Sequence, residues 1–98
     1  MTSEFLIRRK DGDWFTLHKD QFLLTLKPNT IESAPTVGWG DHRIKTANGE
    51  IFFSYEDPGI QIAFEEYRGD KAEMEMIVNE ILQNIEKTTG EKGHVVAL

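Results

Sequence analysis

Residues 42–66 read HRIKTANGEIFFSYEDPGIQIAFEE, and this stretch decides the fold. Two extended runs, His42 to Ala47 and Glu50 to Tyr55, flank Asn48-Gly49, a strong signal for a tight hairpin because both turn positions tolerate positive φ. Pairing around that turn sets Ile44 opposite Phe53 and Thr46 opposite Ile51. A second turn is expected at Asp57-Pro58-Gly59, where proline then glycine suit the central positions of a type II turn. Residues 60–66 return with Ile60, Ile62 and Phe64 alternating against Gln61, Ala63 and Glu65. One side of the resulting meander collects Ile44, Ile51, Phe53, Tyr55, Ile62 and Phe64. A one-residue slip would turn that side to water, so the faces are firmly set.

An apolar sheet face needs a cover, and the next segment supplies one. Met74, Ile77, Val78, Ile81, Leu82 and Ile85 follow the 3-4-3-4-3 spacing of a single buried helical stripe. Asp70 is a natural N-cap, Glu73 completes a capping-box-like pair, and Gly90 is a natural C-terminal stop. The helix is expected over about residues 71–88. Val95 to Leu98 form a last apolar segment that can add a short strand.

Upstream, residues 4–10 and 14–19 are strand-like around Asp11-Gly12, which predicts a second hairpin with Leu6 facing Leu17 and Arg8 facing Phe15. Phe22, Leu24 and Leu26 alternate, which predicts a third strand ending at Pro28. Residues 28–41, PNTIESAPTVGWGD, are irregular and link the two halves. Irregular segments of this length inside compact domains are often functional. The expected architecture is one α+β domain over residues 1–98. An antiparallel meander and hairpin sheet of five to seven strands packs against one long C-terminal amphipathic helix.

Composition narrows the function classes. The chain has 39% hydrophobic and 29% charged residues, a globular balance. It has no cysteine, which removes disulfides, thiolate metal sites and cysteine catalysis. No apolar run reaches the ~20 residues of a membrane span. At the N-terminus the basic residues follow the apolar stretch, the reverse of a signal peptide, which points to the cytoplasm. The net charge is −6, and it is uneven: residues 1–49 hold seven Lys/Arg against six Asp/Glu, and residues 50–98 hold four against eleven. Such acidity disfavours nucleic acid and anionic membrane as partners and favours a basic protein, though it also serves solubility. Oligomeric state is left open.

Chemistry-bearing residues are sparse. His18, His42 and His94 lack ligand spacing, so no metal is expected. Glu56-Asp57 and Glu65-Glu66 are adjacent pairs, and neighbouring strand residues point to opposite faces, so they do not form an acid–base dyad. Gly38-Trp39-Gly40 lacks the spacing and following helix of a phosphate loop. Ser3, Ser33 and Ser54 have no evident base. No catalytic residue and no cofactor is expected, and the chain reads as a binding protein, not an enzyme. Trp39, between two glycines on a backbone read as mobile, either anchors a partner or folds back to plug one end of the core. The candidate partner contacts are Trp39, Asp41, Glu56, Asp57, Glu65 and Glu66.

The run Asp57-Pro-Gly-Ile-Gln-Ile-Ala-Phe64-Glu65, the capped helix, and Thr89-Gly90 before a terminal apolar segment resemble small immunity proteins of bacterial polymorphic toxin systems. The resemblance covers roughly residues 40–98 and rests on turn and cap residues. It implies an α+β fold without enzymatic activity that binds and blocks a cognate toxin. What matches is scaffold, so it transfers no functional residue. The expected function is therefore a small acidic cytoplasmic protein that neutralises a partner. The alternative is a small-ligand-binding or regulatory domain using the 28–42 loop. An enzyme would require His42 to meet Asp41, or an acidic strand residue, in one cleft.

Overall fold

The computed structural model describes residues 2–56 and 59–98. In chain order the elements are β1 (Thr2–Arg9), a 3-10 turn (Lys19–Gln21), α1 (Phe22–Thr25), β2 (Ala34–Pro35), β3 (His42–Thr46), β4 (Gly49–Glu56), β5 (Gly59–Glu65), α2 (Lys71–Thr89) and β6 (Gly93–Ala97). The strands form one antiparallel sheet in the order β2-β3-β4-β5-β1-β6. The long helix α2 covers one face, as the sequence predicts. No helix among the described residues is long and apolar enough to cross a membrane.

The β3–β4–β5 meander forms as expected, with one shift. Ile44 pairs with Ile51 and Thr46 with Gly49, not Ile44 with Phe53 and Thr46 with Ile51. The turn falls one residue early, at Ala47-Asn48. There the Thr46 hydroxyl accepts the Asn48 N–H at 3.1 Å, and the Asn48 carbonyl accepts the Arg68 N–H at 2.7 Å. Gly49 becomes a strand residue at φ 145°, where a Cβ would sit 3.0 Å from both the Glu66 carbonyl oxygen and Tyr67 Cα. Moving the turn by one residue changes each pairing by two positions, so every side chain keeps its face. The Asp57-Pro58 part of the expected type II turn lies outside the described residues. Gly59 is not a turn residue but the first paired residue of β5, opposite Glu56.

The N-terminal hairpin does not form. Strand β1 pairs with β5 on one side, setting Leu6 opposite Gln61, and with β6 on the other, setting Leu6 opposite Val96. The physical reason is burial. Between β5 and β6, Phe5 and Ile7 join the covered face beside Ile60, Ile62 and Phe64, and Ile7 has no exposed surface. A local hairpin would have left β5 an open apolar edge. Asp11-Gly12 does turn the chain, with Gly12 at φ 79°, but residues 13–18 then leave the sheet unpaired. Their alternation was still meaningful: Phe15 and Leu17 point into one end of the core.

The predicted third strand is instead helical. Phe22 and Leu26, four residues apart, share the buried side of the short α1 segment, while Leu23 and Leu24 are 59% and 75% exposed. A strand would have buried Leu24 together with Leu26. Gln21 supports the turn by accepting the His18 N–H at 2.8 Å, and Thr25 donates to the Gln21 carbonyl at 2.8 Å.

Helix α2 starts and stops where its caps predict. The Asp70 carboxylate accepts the Glu73 N–H at 2.8 Å, and Gly90 closes the helix at φ 76°. The reciprocal half of the capping box is missing. The Glu73 carboxylate turns away to accept from the Tyr67 hydroxyl at 2.7 Å and the Asn48 side-chain amide at 2.9 Å. Burial, the Glu73 hydrogen bond and its charge together push the Tyr67 phenol up to about 12. Ile77, Val78, Ile81, Leu82 and Ile85 meet the sheet and form one core with Phe15, Leu17, Phe22 and Leu26.

Candidate binding surface

Among the described residues no helix covers the second sheet face. The register aligns Arg43, Phe52, Ala63 and Glu4 in one row, and Ser54, Gln61, Leu6 and Val96 in the next. Phe52, Leu6 and Val96 are half-buried there, giving a partly apolar centre inside a charged rim. Arg43 dominates that rim. Its Nε lies 2.6 Å from Glu50 Oε1 and its Nη2 lies 2.6 Å from Glu65 Oε1. The guanidinium stands 5.2 Å over the Phe52 ring. The Glu50 hydrogen bond, reinforced by Glu65, raises the Arg43 pKa against the opposing effect of burial.

Residues 36–41 fold over this corner of the sheet. Thr36 N–H donates to the Arg43 carbonyl at 2.9 Å, and Asp41 N–H donates to the Phe53 carbonyl at 2.8 Å. The Asp41 carboxylate accepts the Tyr55 N–H at 2.8 Å. The two glycines allow contact. At Gly38 (φ 153°) a Cβ would lie 2.7 Å from Arg43 Cδ, and at Gly40 (φ 94°) it would lie 2.8 Å from the Phe53 carbonyl oxygen. The backbone around Trp39 is therefore held against the sheet, not the mobile tether the glycine spacing suggested. Trp39 itself is 80% exposed and does not plug the core.

Beside it opens a cleft of about 680 Å³ lined by Gly38, Trp39, Gly40, Asp41, Ser54 and Tyr55. The Tyr55 ring turns to the helix-covered face, where its centroid lies 5.9 Å from those of Trp14 and Phe22. The Tyr55 hydroxyl donates to the Leu17 carbonyl at 2.8 Å, which fixes the ring. Burial pushes the Tyr55 phenol up, and the Asp41 and Glu91 carboxylates add to that. Trp14 is 42% exposed and edges the core side of the sheet there, whereas Trp39 lies over the opposite face.

The six expected contacts fare differently. Trp39 and Asp41 are brought together at the cleft, with one carboxylate oxygen of Asp41 engaged by backbone. Glu65 lies on the open face, tied to Arg43 under the Trp39 loop. Glu66 is exposed beyond the end of β5, in a left-handed conformation at φ 49°. Asp57 and the side chain of Glu56 lie outside what is described. His42 does not meet Asp41. Its ring sits between Phe22 and Phe53 at 5.8 Å from each, and burial lowers its pKa. Among the described residues no three His, Asp or Glu side chains converge as metal ligands.

Sequence reasoning missed Trp14 and Arg43, while Tyr55 packs on the apolar side where the alternation put it. Arg43 was legible in principle, since strand parity places it on the uncovered face together with Phe52. Trp14 had no sequence signal, because nothing local says that residues 13–18 cross the end of β4. Set against models of protein families, curated proteins and solved structures, the chain matches none.

Proposed function

We propose that this protein is a cytoplasmic binding protein of the immunity kind, which neutralises a basic protein toxin by seating it on the Trp39 cleft and the adjoining open sheet face. The observation that carries the reading is Trp39: a large aromatic, 80% exposed, on a loop fastened at Thr36, Gly38, Gly40 and Asp41. An ordered, solvent-facing tryptophan loses little conformational freedom on binding, which is what makes such residues energetic anchors. Phe52 near it, and Leu6 and Val96 farther across the open face toward β6, extend the contact area, and the charged rim is that of a protein interface, not of a core. The net charge of −6 supports attraction of a basic partner over distance.

The test is co-expression with the product of the neighbouring gene. The wild-type chain restores growth and retains that product in a pull-down, whereas Trp39→Ala loses both while its unfolding free energy stays within about 0.5 kcal/mol of wild type. If the wild type neither binds nor protects, the neutraliser reading fails.

A second reading is a small ligand held against the Trp39 loop, in the open depression that Gly38, Trp39, Gly40 and Asp41 share with Ser54 and Tyr55. Tryptophan fluorescence separates the two. Trp14 packs against Tyr55 and would also respond, so the titration uses Trp14→Phe. A response to metabolites supports the ligand, and a response to protein alone supports the neutraliser.

A further inference from the structure

The sheet has two outer edges, and they are built differently. Strand β2 is two residues long and contains Pro35, which blunts an edge. Strand β6 has no proline and no lysine within Gly93–Ala97, and its chain continues into exposed Leu98.

The hydrogen-bond pattern shows which β6 groups are free. Leu98 N–H donates to the Glu4 carbonyl at 3.0 Å, and Lys10 N–H donates to the Lys92 carbonyl at 2.9 Å. By antiparallel alternation, residues 92, 94, 96 and 98 turn their peptide groups toward β1, and residues 93, 95 and 97 turn theirs away. Gly93 confirms the parity, because its N–H reaches the Glu86 carboxylate of α2 at 3.0 Å. Val95 and Ala97 are left presenting N–H and C=O groups to solvent.

We infer that β6 is a dimerisation edge, at which a second copy of this chain adds antiparallel to make one continuous twelve-stranded sheet. The register follows from the free groups. Val95 pairs with Ala97 of the second copy, each residue exchanging both of its hydrogen bonds, and Val96 meets its own counterpart on the two-fold axis. The competing register, with Val95 on the axis, brings the carbonyl of Ala97 against the Glu86 carboxylate at Gly93 and is blocked. The chosen register suits a second copy in its side chains too. Val96 faces Val96, His94 faces Leu98, and no like-charged pair is created. Leu98, 67% exposed in the single chain, gains cover.

Only His94–Leu98 of each copy meet, so the interface falls below the size of stable complexes and the dimer exchanges readily. Two copies of net charge −6 repel at long range, so added salt tightens the association. A basic foreign strand on the same edge would be loosened by salt. The Trp39 loop lies near the β2–β3 edge, opposite β6, so both copies keep their clefts open.

The chain has no cysteine, which makes cross-linking a clean test. Val96→Cys places two thiols across the axis in a non-hydrogen-bonded pair, at about 4.5 Å between Cα atoms, which a disulfide can span. Under mild oxidation Val96→Cys is expected to form covalent dimer at least about 10-fold faster than His94→Cys or Leu98→Cys alone, the two-fold register being the cause. A mixture of His94→Cys and Leu98→Cys cross-links as a hetero-pair. Ala97→Pro removes an N–H that no intrachain bond uses, so it leaves the melt intact and suppresses all of these cross-links. Sedimentation of the wild type from micromolar to near-millimolar concentration shows a monomer–dimer equilibrium that strengthens with salt. Equal cross-linking of the three single variants, insensitivity to Ala97→Pro, or a wild type that stays monomeric throughout overturns the inference.

Discussion

Residues 42–98 and residues 10–31 are held together by different physics. The first region is made of neighbours: hairpin strands, a capped helix and a returning strand, joined by backbone hydrogen bonds and one apolar stripe. The second has almost no backbone ladder. Its apolar side chains Phe15, Leu17, Phe22 and Leu26 reach the core, but its backbone is fastened by side chains from far along the chain. Glu91 accepts from Thr16 N–H and from the Thr16 hydroxyl, both at 2.7 Å. Glu80 accepts the Asn29 N–H at 2.8 Å, the Thr30 N–H at 3.2 Å and the Thr30 hydroxyl. Asn84 donates to the Thr25 and Lys27 carbonyls at 3.3 and 3.1 Å. Arg9 reaches the Trp14 carbonyl at 2.9 Å. The difference teaches where a short chain keeps its information: local pattern specifies the first region, and single distant side chains specify the second.

The sharpest way to break the ordered region is Ile81→Asp. Ile81 has no exposed surface, so a carboxylate there is buried without a partner, and the cooperative thermal transition should disappear. An unchanged melt would sink the packing scheme. In the fastened region, Leu26→Ala should cost about 3 kcal/mol in denaturant unfolding, because Leu26 fills the core. Leu24→Ala should stay within about 0.5 kcal/mol, since Leu24 faces water. Equal costs would restore a strand at residues 21–26.

The open face gives a smaller effect. Arg43→Ala strands Glu50 and Glu65 beside each other and should cost about 2 kcal/mol, while Arg43→Met combined with Glu50→Gln and Glu65→Gln should recover most of it. A triple variant no better than the single one would show that the ion pairs are not what holds that corner. The smallest effect depends on pH. At Glu80 burial raises the carboxyl pKa, but the Thr30 hydroxyl and the Asn29 and Thr30 amides outweigh it and hold it below 4.5. At Glu91 the Thr16 amide and hydroxyl dominate, with Arg9 assisting. Both folded carboxyls lie below their unfolded value. Their stabilisation is therefore complete above about pH 4.5 and fades as pH falls through the folded values. Limited proteolysis below that pH should cut within residues 10–31 first. Glu80→Gln with Glu91→Gln should be cut there at neutral pH as well.

The same contrast explains what the sequence revealed. The meander, the helix with both caps, and the α+β architecture were legible because each rests on residues a few positions apart. The Asn48-Gly49 turn was misplaced by one residue because Gly49 answers to Glu66 and Tyr67, which no local pattern contains. The hairpin at Asp11-Gly12 failed because two distant strands, β5 and β6, offered Phe5 and Ile7 more burial than residues 14–19 could. At the candidate surface, Trp39 and Asp41 were legible by type. The Trp14–Tyr55 contact was not, because it depends on residues 13–18 crossing the end of β4. Of the acidic residues expected as partner contacts, Asp41 and Glu65 hold hydrogen bonds or ion pairs inside the molecule, and so do Glu73, Glu80, Glu86 and Glu91, of which only Glu73 had an expected internal role, at the helix cap.

That last feature bears on anyone wishing to redesign the protein as a cationic variant. Swapping surface acids for lysine normally tunes solubility and leaves the fold alone. Here a lysine at position 80 or 91 would offer a donor where Asn29, Thr30 and Thr16 already present donors, and the N-terminal third of the chain would lose its moorings. The carboxylates open to replacement are Asp20, Glu32, Glu66 and Glu75, which among the described residues make no hydrogen bond or ion pair. In this protein acidity is partly architecture, and its sign cannot be reversed residue by residue without choosing which ones carry loops.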